Sequence, residues 1–195
     1  ATVSAGKQPT TDLALIAVFA ALIAVFSVVP GVPVGPVPIT LQTLAVILSG
    51  LVLGPWRGFA AAALYLLVGF AGLPVFAGGA GGLGVLAKPS IGYLLSFPIA
   101  ALLAGVFARW LAGPERRARF LWLFLSGFGA SVLIVHPAGI LGLMVVAQMS
   151  VNAAIATDLV FWPGDVVKNL VAAAIAVAVH KAFPALLAAR APVAA

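Results

Sequence analysis

Apolar runs of near span length recur along the whole chain, from Leu13 to Phe183, separated by segments rich in Pro and Gly. Such a chain cannot divide itself into one inner core and one wet surface. Hydrophobic residues make up 64% and charged residues only 7%. Mean hydropathy is +1.26. The pattern predicts an all-α integral membrane protein rather than a soluble domain. The 195 residues hold about six spans at ~20 residues each.

The spacing predicts helices over about 13–29, 40–53, 59–70, 90–111, 120–149 and 165–183, forming a single membrane domain over 1–195. The first run has no cleavage site of small residues and reads as a retained helix. Pro30 to Pro38 alternates Pro and Gly with Val and reads as an extended loop. The second helix is short for a span, so it tilts or has one end buried in protein. Gly54 to Gly58 reads as a tight turn. Gly69 to Gly84 is a glycine-rich segment too apolar for an ordinary solvated loop, so it requires cover from helices or a ligand. A kink is expected near His136–Pro137. Ser150 to Asp158 reads as a polar patch before a Pro163–Gly164 turn.

Six spans put both termini on one side of the bilayer. That side collects Lys7, Arg57, Arg109, Arg116, Arg117, Arg119, Lys181 and Arg190, against Lys88 and Lys168 on the other. The asymmetry predicts cytoplasmic termini. It also gathers the Pro-rich loop, the Gly-rich loop and the Asp165/Lys168 corner on the outer face, where a ligand pocket is expected. The net charge of +6 is therefore a property of cytoplasmic loops and does not indicate nucleic acid.

Several chemistries drop out. There is no cysteine, hence no disulfide, thiolate metal site or Cys nucleophile. No phosphate-binding G-x-x-x-x-G-K-[ST] loop occurs, so any ATP-driven step belongs to another chain. His136 and His180 lack Asp, Glu or Cys at metal-ligand spacing and read as structural. No nucleophile elbow or carboxylate pair suits catalysis. Neither an enzyme nor a resident cofactor or metal is expected.

Ionisable groups at the edge of hydrocarbon are costly and usually face a partner, a cavity or a substrate. Phe161 to Asn169 sets Asp165 and Lys168 three residues apart at the head of a long apolar helix. One helical turn brings both to one face. A cap on the helix dipole plus an intrahelical ion pair accounts for them without a ligand. An acceptor and donor pair for a polar ligand group is the functional alternative. Asn169 and Asn152 are possible amide contacts. Thr40 and Gln42, beside Thr43, open the second helix at the same end. Thr40 suits a cap, whereas the Gln42 amide needs partners. Phe76, among small residues, suits a mobile lid with an apolar plug. Tyr93, Phe161 and Trp162 line a pocket or form an interfacial belt. Lys88 attracts an anion or is simply solvated. On the first helix, Ala17, Ala20, Ala21 and Ala24 form small-residue stripes that let another helix approach closely.

Five segments carry a resemblance. They are Val37-Pro38-Ile39-Thr40-Leu41-Gln42-Thr43, Leu53-Gly54-Pro55-Trp56-Arg57-Gly58, Gly72 to Gly82, Gly92-Tyr93-Leu94-Leu95-Ser96-Phe97-Pro98 and Pro163-Gly164-Asp165-Val166-Val167-Lys168. In this order they closely resemble the BioY family, the biotin-specific substrate-binding (S) components of energy-coupling factor (ECF) transporters. The resemblance covers about residues 12–183. It implies six helices in a prokaryotic plasma membrane and biotin bound at the outer face, in a pocket closed by the loops after helices 1 and 3. It further implies a transmembrane coupling protein and two ABC-type ATPases as partners, docked partly through an alanine-x-x-x-alanine stripe. Ala17/Ala21 and Ala20/Ala24 both fit that stripe. Asp165 and Lys168 carry over as contacts to the polar ring of biotin. Lys88, backbone amides of Gly78, Gly79 and their neighbours to Gly82, and Asn152 are alternatives for its carboxylate. Thiamine or riboflavin would more naturally need stacking aromatics. A structural subunit of a membrane complex would need no ligand at all.

Overall fold

The computed structural model describes residues 9–112 and 119–188. Lys7, Arg116, Arg117 and Arg190 of the charge count fall outside them. The architecture is helical: α1 (Pro9–Val28), α2 (Gln42–Leu53), α3 (Pro55–Phe70), α4 (Ile91–Leu111), α5 (Arg119–Ala130), α6 (His136–Val146), α7 (Val151–Leu159), α8 (Trp162–Ala182) and the short α9 (Ala185–Ala188). Among the described residues, four stretches are long and apolar enough to cross a membrane: Thr10–Val28, Ile91–Leu111, Arg119–Val146 and Trp162–Ala182.

At 12 residues, α2 is too short to span hydrocarbon as a lipid-facing rod. It does not have to. Eleven of its residues are buried, all but Thr43, and it packs against α1, α3, α4, α5 and α8. Helices rather than lipid surround it on every side. Gly50 makes the closest approach, since a Cβ there would run into the backbone carbonyl of Ala101 on α4. Small residues allow this contact where side-chain bulk would hold the helices apart.

Several expected boundaries move. The supposed turn at Gly54–Gly58 is a single residue: Gly54 (φ 87°) turns the chain and Pro55 already opens α3. Proline's fixed φ suits the first turn of a helix, where its missing N–H costs nothing. The polar patch after Ser150 is itself helical, with the Ser150 hydroxyl accepting from the Ala153 amide at 3.3 Å. Pro163 and Gly164 likewise lie in the first turn of α8 rather than before it. The expected bend near His136–Pro137 takes the form of a wider π-helical turn at Ser131–Val135, and α6 ends at Val146, before 149. Pro137 denies the backbone one hydrogen bond, and the π turn absorbs the mismatch.

Specific contacts mark the two ends of the bundle. At one end Arg57 pairs with Asp12 at 2.8 Å. There too Arg119 meets His180 Nδ1 at 2.9 Å, and His180 Nε2 reaches the Val52 carbonyl at 3.4 Å. The heads of α1, α3 and α5 and the tails of α2 and α8 therefore converge. The heads of α2, α4 and α8 meet at the opposite end, where two loops fold over them. The Pro-rich loop closes through paired hydrogen bonds of 2.9 Å between Val32 and Ile39. The Gly-rich loop forms two short 3-10 turns, Ala77–Gly79 and Leu83–Ala87. Gly78 and Gly79 both adopt positive φ, near 71° and 72°, a conformation that side-chain-bearing residues rarely take.

Candidate functional site

Beneath those loops lies a cavity of about 80 Å³, several times the ~10–15 Å³ that one water needs. Thr40, Gln42 and Thr43 enter it from the head of α2, Tyr93 from α4, and Asp165 and Lys168 from α8. Phe76 and Lys88 enter from the Gly-rich loop, and Phe161 from the turn before α8. Apart from Ser90, its walls are otherwise apolar.

Asp165 and Lys168 lie on one face of α8, as their spacing predicts, and both are buried. Lys168 Nζ donates to Asp165 Oδ1 at 2.9 Å and to Thr43 Oγ1 at 3.2 Å. Thr43 Oγ1 lies 3.5 Å from the same carboxylate oxygen. The intrahelical ion pair therefore exists, and it also faces the cavity. Taking two charges out of water is expensive even when they are paired. Asp165 retains Oδ2 and Lys168 retains donor capacity for a third party.

The Thr40 hydroxyl accepts from the Gln42 backbone N–H at 3.4 Å, a weak local contact. Gln42 finds its partner in Tyr65, whose hydroxyl accepts from the Gln42 side chain. The same hydroxyl lies 3.1 Å from Ser27 Oγ and 3.2 Å from the Val75 carbonyl. Next to Val75, Phe76 is seated edge-on against Tyr65 and Phe70, with ring centroids 5.4 and 5.2 Å apart. The socket exists because residue 69 is glycine: a Cβ there would strike the Phe76 ring. The plug on the Gly-rich loop is thus buried and latched to α3.

Other expected residues stand elsewhere. Gly78 and Gly79 form the exposed tip of the loop, flanked by the cavity-lining Ala77 and Ala80. Lys88 is exposed at the rim. Asn169 is buried one turn below Asp165, donating to the Asp165 carbonyl at 2.8 Å and to Ser131 Oγ at 3.4 Å, and does not line the cavity. Asn152 is exposed on α7, away from the lining.

A second polar layer lies behind Asp165. Asp158, at the end of α7, accepts from the Tyr93 hydroxyl at 2.8 Å and from Trp162 Nε1 at 2.9 Å, and stands 3.0 Å from His136 Nδ1. Burial works to raise its pKa. The hydrogen bonds from His136, Trp162 and Tyr93 outweigh it and hold the carboxyl below the usual carboxylate range. Trp162 stacks on His136 with centroids 4.9 Å apart, and Tyr93 packs edge-on against Phe161 at 5.6 Å. Tyr93 and Phe161 thus line the cavity, and Trp162 packs behind it on His136. His136 and Asp158 escaped the sequence reading because 22 positions separate them. Only the fold-back of α7 brings them together.

The arrangement is a covered apolar cavity with an acceptor and a donor side by side at one wall and a cation at its rim. Its chain has relatives. Residues 2–185 match the model of the BioY family. The Rhizobium etli protein named Biotin transporter BioY is 38% identical over 181 residues, covering 91% of this chain and 97% of that one. The Rhodobacter capsulatus protein of the same name is 39% identical over 192 residues, covering 92% and 98%. The backbone is similar to a crystal structure at 2.1 Å of the S-component for biotin from an ECF-type ABC transporter, with a TM-score of 0.79 and 29% identity over 90% of this chain and 94% of that one. With the family model spanning nearly the whole chain and full-length relatives agreeing, the chain belongs to the BioY family.

Proposed function

We propose that this protein binds biotin at the outer face of a prokaryotic plasma membrane and serves as the S component of an ECF transporter. The Asp165–Lys168 pair facing an apolar cavity carries the reading. Biotin presents a flat ureido group with N–H donors beside a carbonyl acceptor, then an apolar thioether ring and chain, then a carboxylate. Asp165 accepts from a ureido N–H and Lys168 donates to the ureido oxygen. Phe76 and the apolar walls cover the ring and chain. Lys88 at the rim is available to the carboxylate, with the backbone amides near Gly78 and Gly79 as the other source of donors.

Transport needs more chains. A coupling protein and ABC-type ATPases supply the ATP-driven step, and this chain performs no hydrolysis. Ala17 and Ala21 are exposed on α1, whereas Ala20 is buried and Ala24 half-buried against the bundle. This favours the Ala17/Ala21 stripe as the coupling protein's contact. The proposed topology has six crossings, α5 and α6 forming one bent crossing, with both termini cytoplasmic. The convergence of Arg57, Arg119 and His180 at one end of the bundle supports it.

Isothermal titration of the detergent-purified protein with biotin, thiamine and riboflavin tests the substrate. Tight one-to-one binding of biotin alone is expected. Asp165→Asn combined with Lys168→Met is expected to abolish that binding while the protein stays folded. Nanomolar binding surviving the double change rejects the site. A folded sample that takes none of the three vitamins favours a structural subunit.

A further inference from the structure

His136 sits directly behind Asp165 and is 2% exposed. Its Nδ1 is 3.0 Å from the Asp158 carboxylate. Its Nε2 is 3.5 Å from Asp165 Oδ2 and makes no hydrogen bond. A neutral imidazole has one N–H and one lone pair. In either tautomer, one ring nitrogen therefore turns a lone pair toward a carboxylate. The imidazolium turns a donor toward each.

Two further observations agree. The ring lies over the face of Trp162, 4.9 Å between centroids and 29° between planes, an arrangement that attracts a cation. The charged groups around the imidazole are Asp158 on α7 and Asp165 and Lys168 on α8. With Tyr93 on α4 neutral and donating to Asp158, they sum to one negative charge. A positive charge on His136 brings this buried set to neutrality.

We propose that His136, as an imidazolium bridging Asp158 and Asp165, is a positioning residue for the ligand site, so that ligand affinity depends on its charge. This rests on the reading of Asp165 as a ligand contact. Lys168 and Thr43 both address Oδ1 of Asp165, which leaves Oδ2 to meet a ligand N–H. The imidazolium fixes the plane of that carboxylate by donating to it. When His136 loses its Nε2 proton and keeps Nδ1–H toward the closer Asp158 carboxylate, a lone pair faces Oδ2 instead, and the carboxylate is free to turn away from the ligand. Affinity then falls once His136 is deprotonated.

The test is titration calorimetry of the whole protein with biotin, from mildly acidic to mildly alkaline pH, with a thermal melt of every variant. Wild type is expected to weaken on the alkaline side. His136→Gln keeps an N–H for Asp158 but carries no charge. It is expected to bind about tenfold more weakly at the acidic end, in line with loss of a charged hydrogen bond, and to lack the alkaline fall. Lys168 is unchanged in this variant, so an alkaline fall due to Lys168 would persist. Wild-type affinity with a wild-type pH profile in His136→Gln overturns the proposal. Should that variant fail to fold, Asp158→Asn removes the carboxylate that holds the imidazolium. It is expected to move the alkaline fall to lower pH, and an unmoved fall overturns the proposal. If wild type does not bind biotin, or Asp165→Asn binds as wild type does, the reading of the site itself fails and takes this proposal with it.

Discussion

At Tyr65 a single buried hydroxyl meets α2 through Gln42, α1 through Ser27 and the Gly-rich loop through Val75. Tyr65→Phe keeps the ring and its contact with Phe76 but strands the Gln42 amide. Leaving a buried polar group unsatisfied costs about 1–3 kcal/mol. The variant is expected to melt at lower temperature than wild type in detergent, and an unchanged melting temperature would show that the hydroxyl contributes nothing. Legibility at this scale follows distance along the chain. Asp165 and Lys168 were readable because helical geometry alone joins positions three apart. Gln42 could be read as needing a partner, but nothing local named Tyr65, 23 positions away. His136 offered even less, since its neighbours arrive only after α7 and α8 have folded against α6.

Among the elements, the long apolar helices could be read because period and length suffice for them. The short pieces could not. Proline at the mouth of a turn and proline at the head of a helix look alike in sequence, so Pro55 and Pro163 were taken to precede helices that they begin. The Gly-rich segment was expected to lie under cover, yet most of it is exposed and Phe76 is its buried anchor. Its latch, however, depends on Gly69, a residue of α3 whose missing side chain makes room for Phe76. Gly69→Val fills that socket and expels the plug. Biotin release, followed by stopped flow, is expected to quicken at least roughly tenfold, the equivalent of about 1.4 kcal/mol of lost closure. An unaltered release rate would mean that Phe76 does not hold the ligand in.

For the whole molecule, charge asymmetry is the readable quantity, because it acts through loops and needs no tertiary contact. It assigns Lys88 to the outside and Lys181 to the inside. The chain contains no cysteine, so single substitutions test this cleanly. Lys88→Cys is expected to react with an impermeant maleimide in intact cells, and Lys181→Cys only after the membrane is opened. The reverse pattern would invert the topology and move the pocket to the cytoplasm.

The encasement of α2 has a consequence for the journey a ligand must make. Twelve residues at ~1.5 Å each amount to about 18 Å of helix, against ~30 Å of hydrocarbon. The head of α2 is the floor of the cavity, and its tail is tied to the opposite end of the bundle through His180. On the proposed topology, a captured molecule already rests well below the outer surface, with a column of protein about 18 Å long beneath it. On that topology the protein would thin the permeability barrier locally, leaving about 18 Å of the ~30 Å of hydrocarbon below a captured molecule.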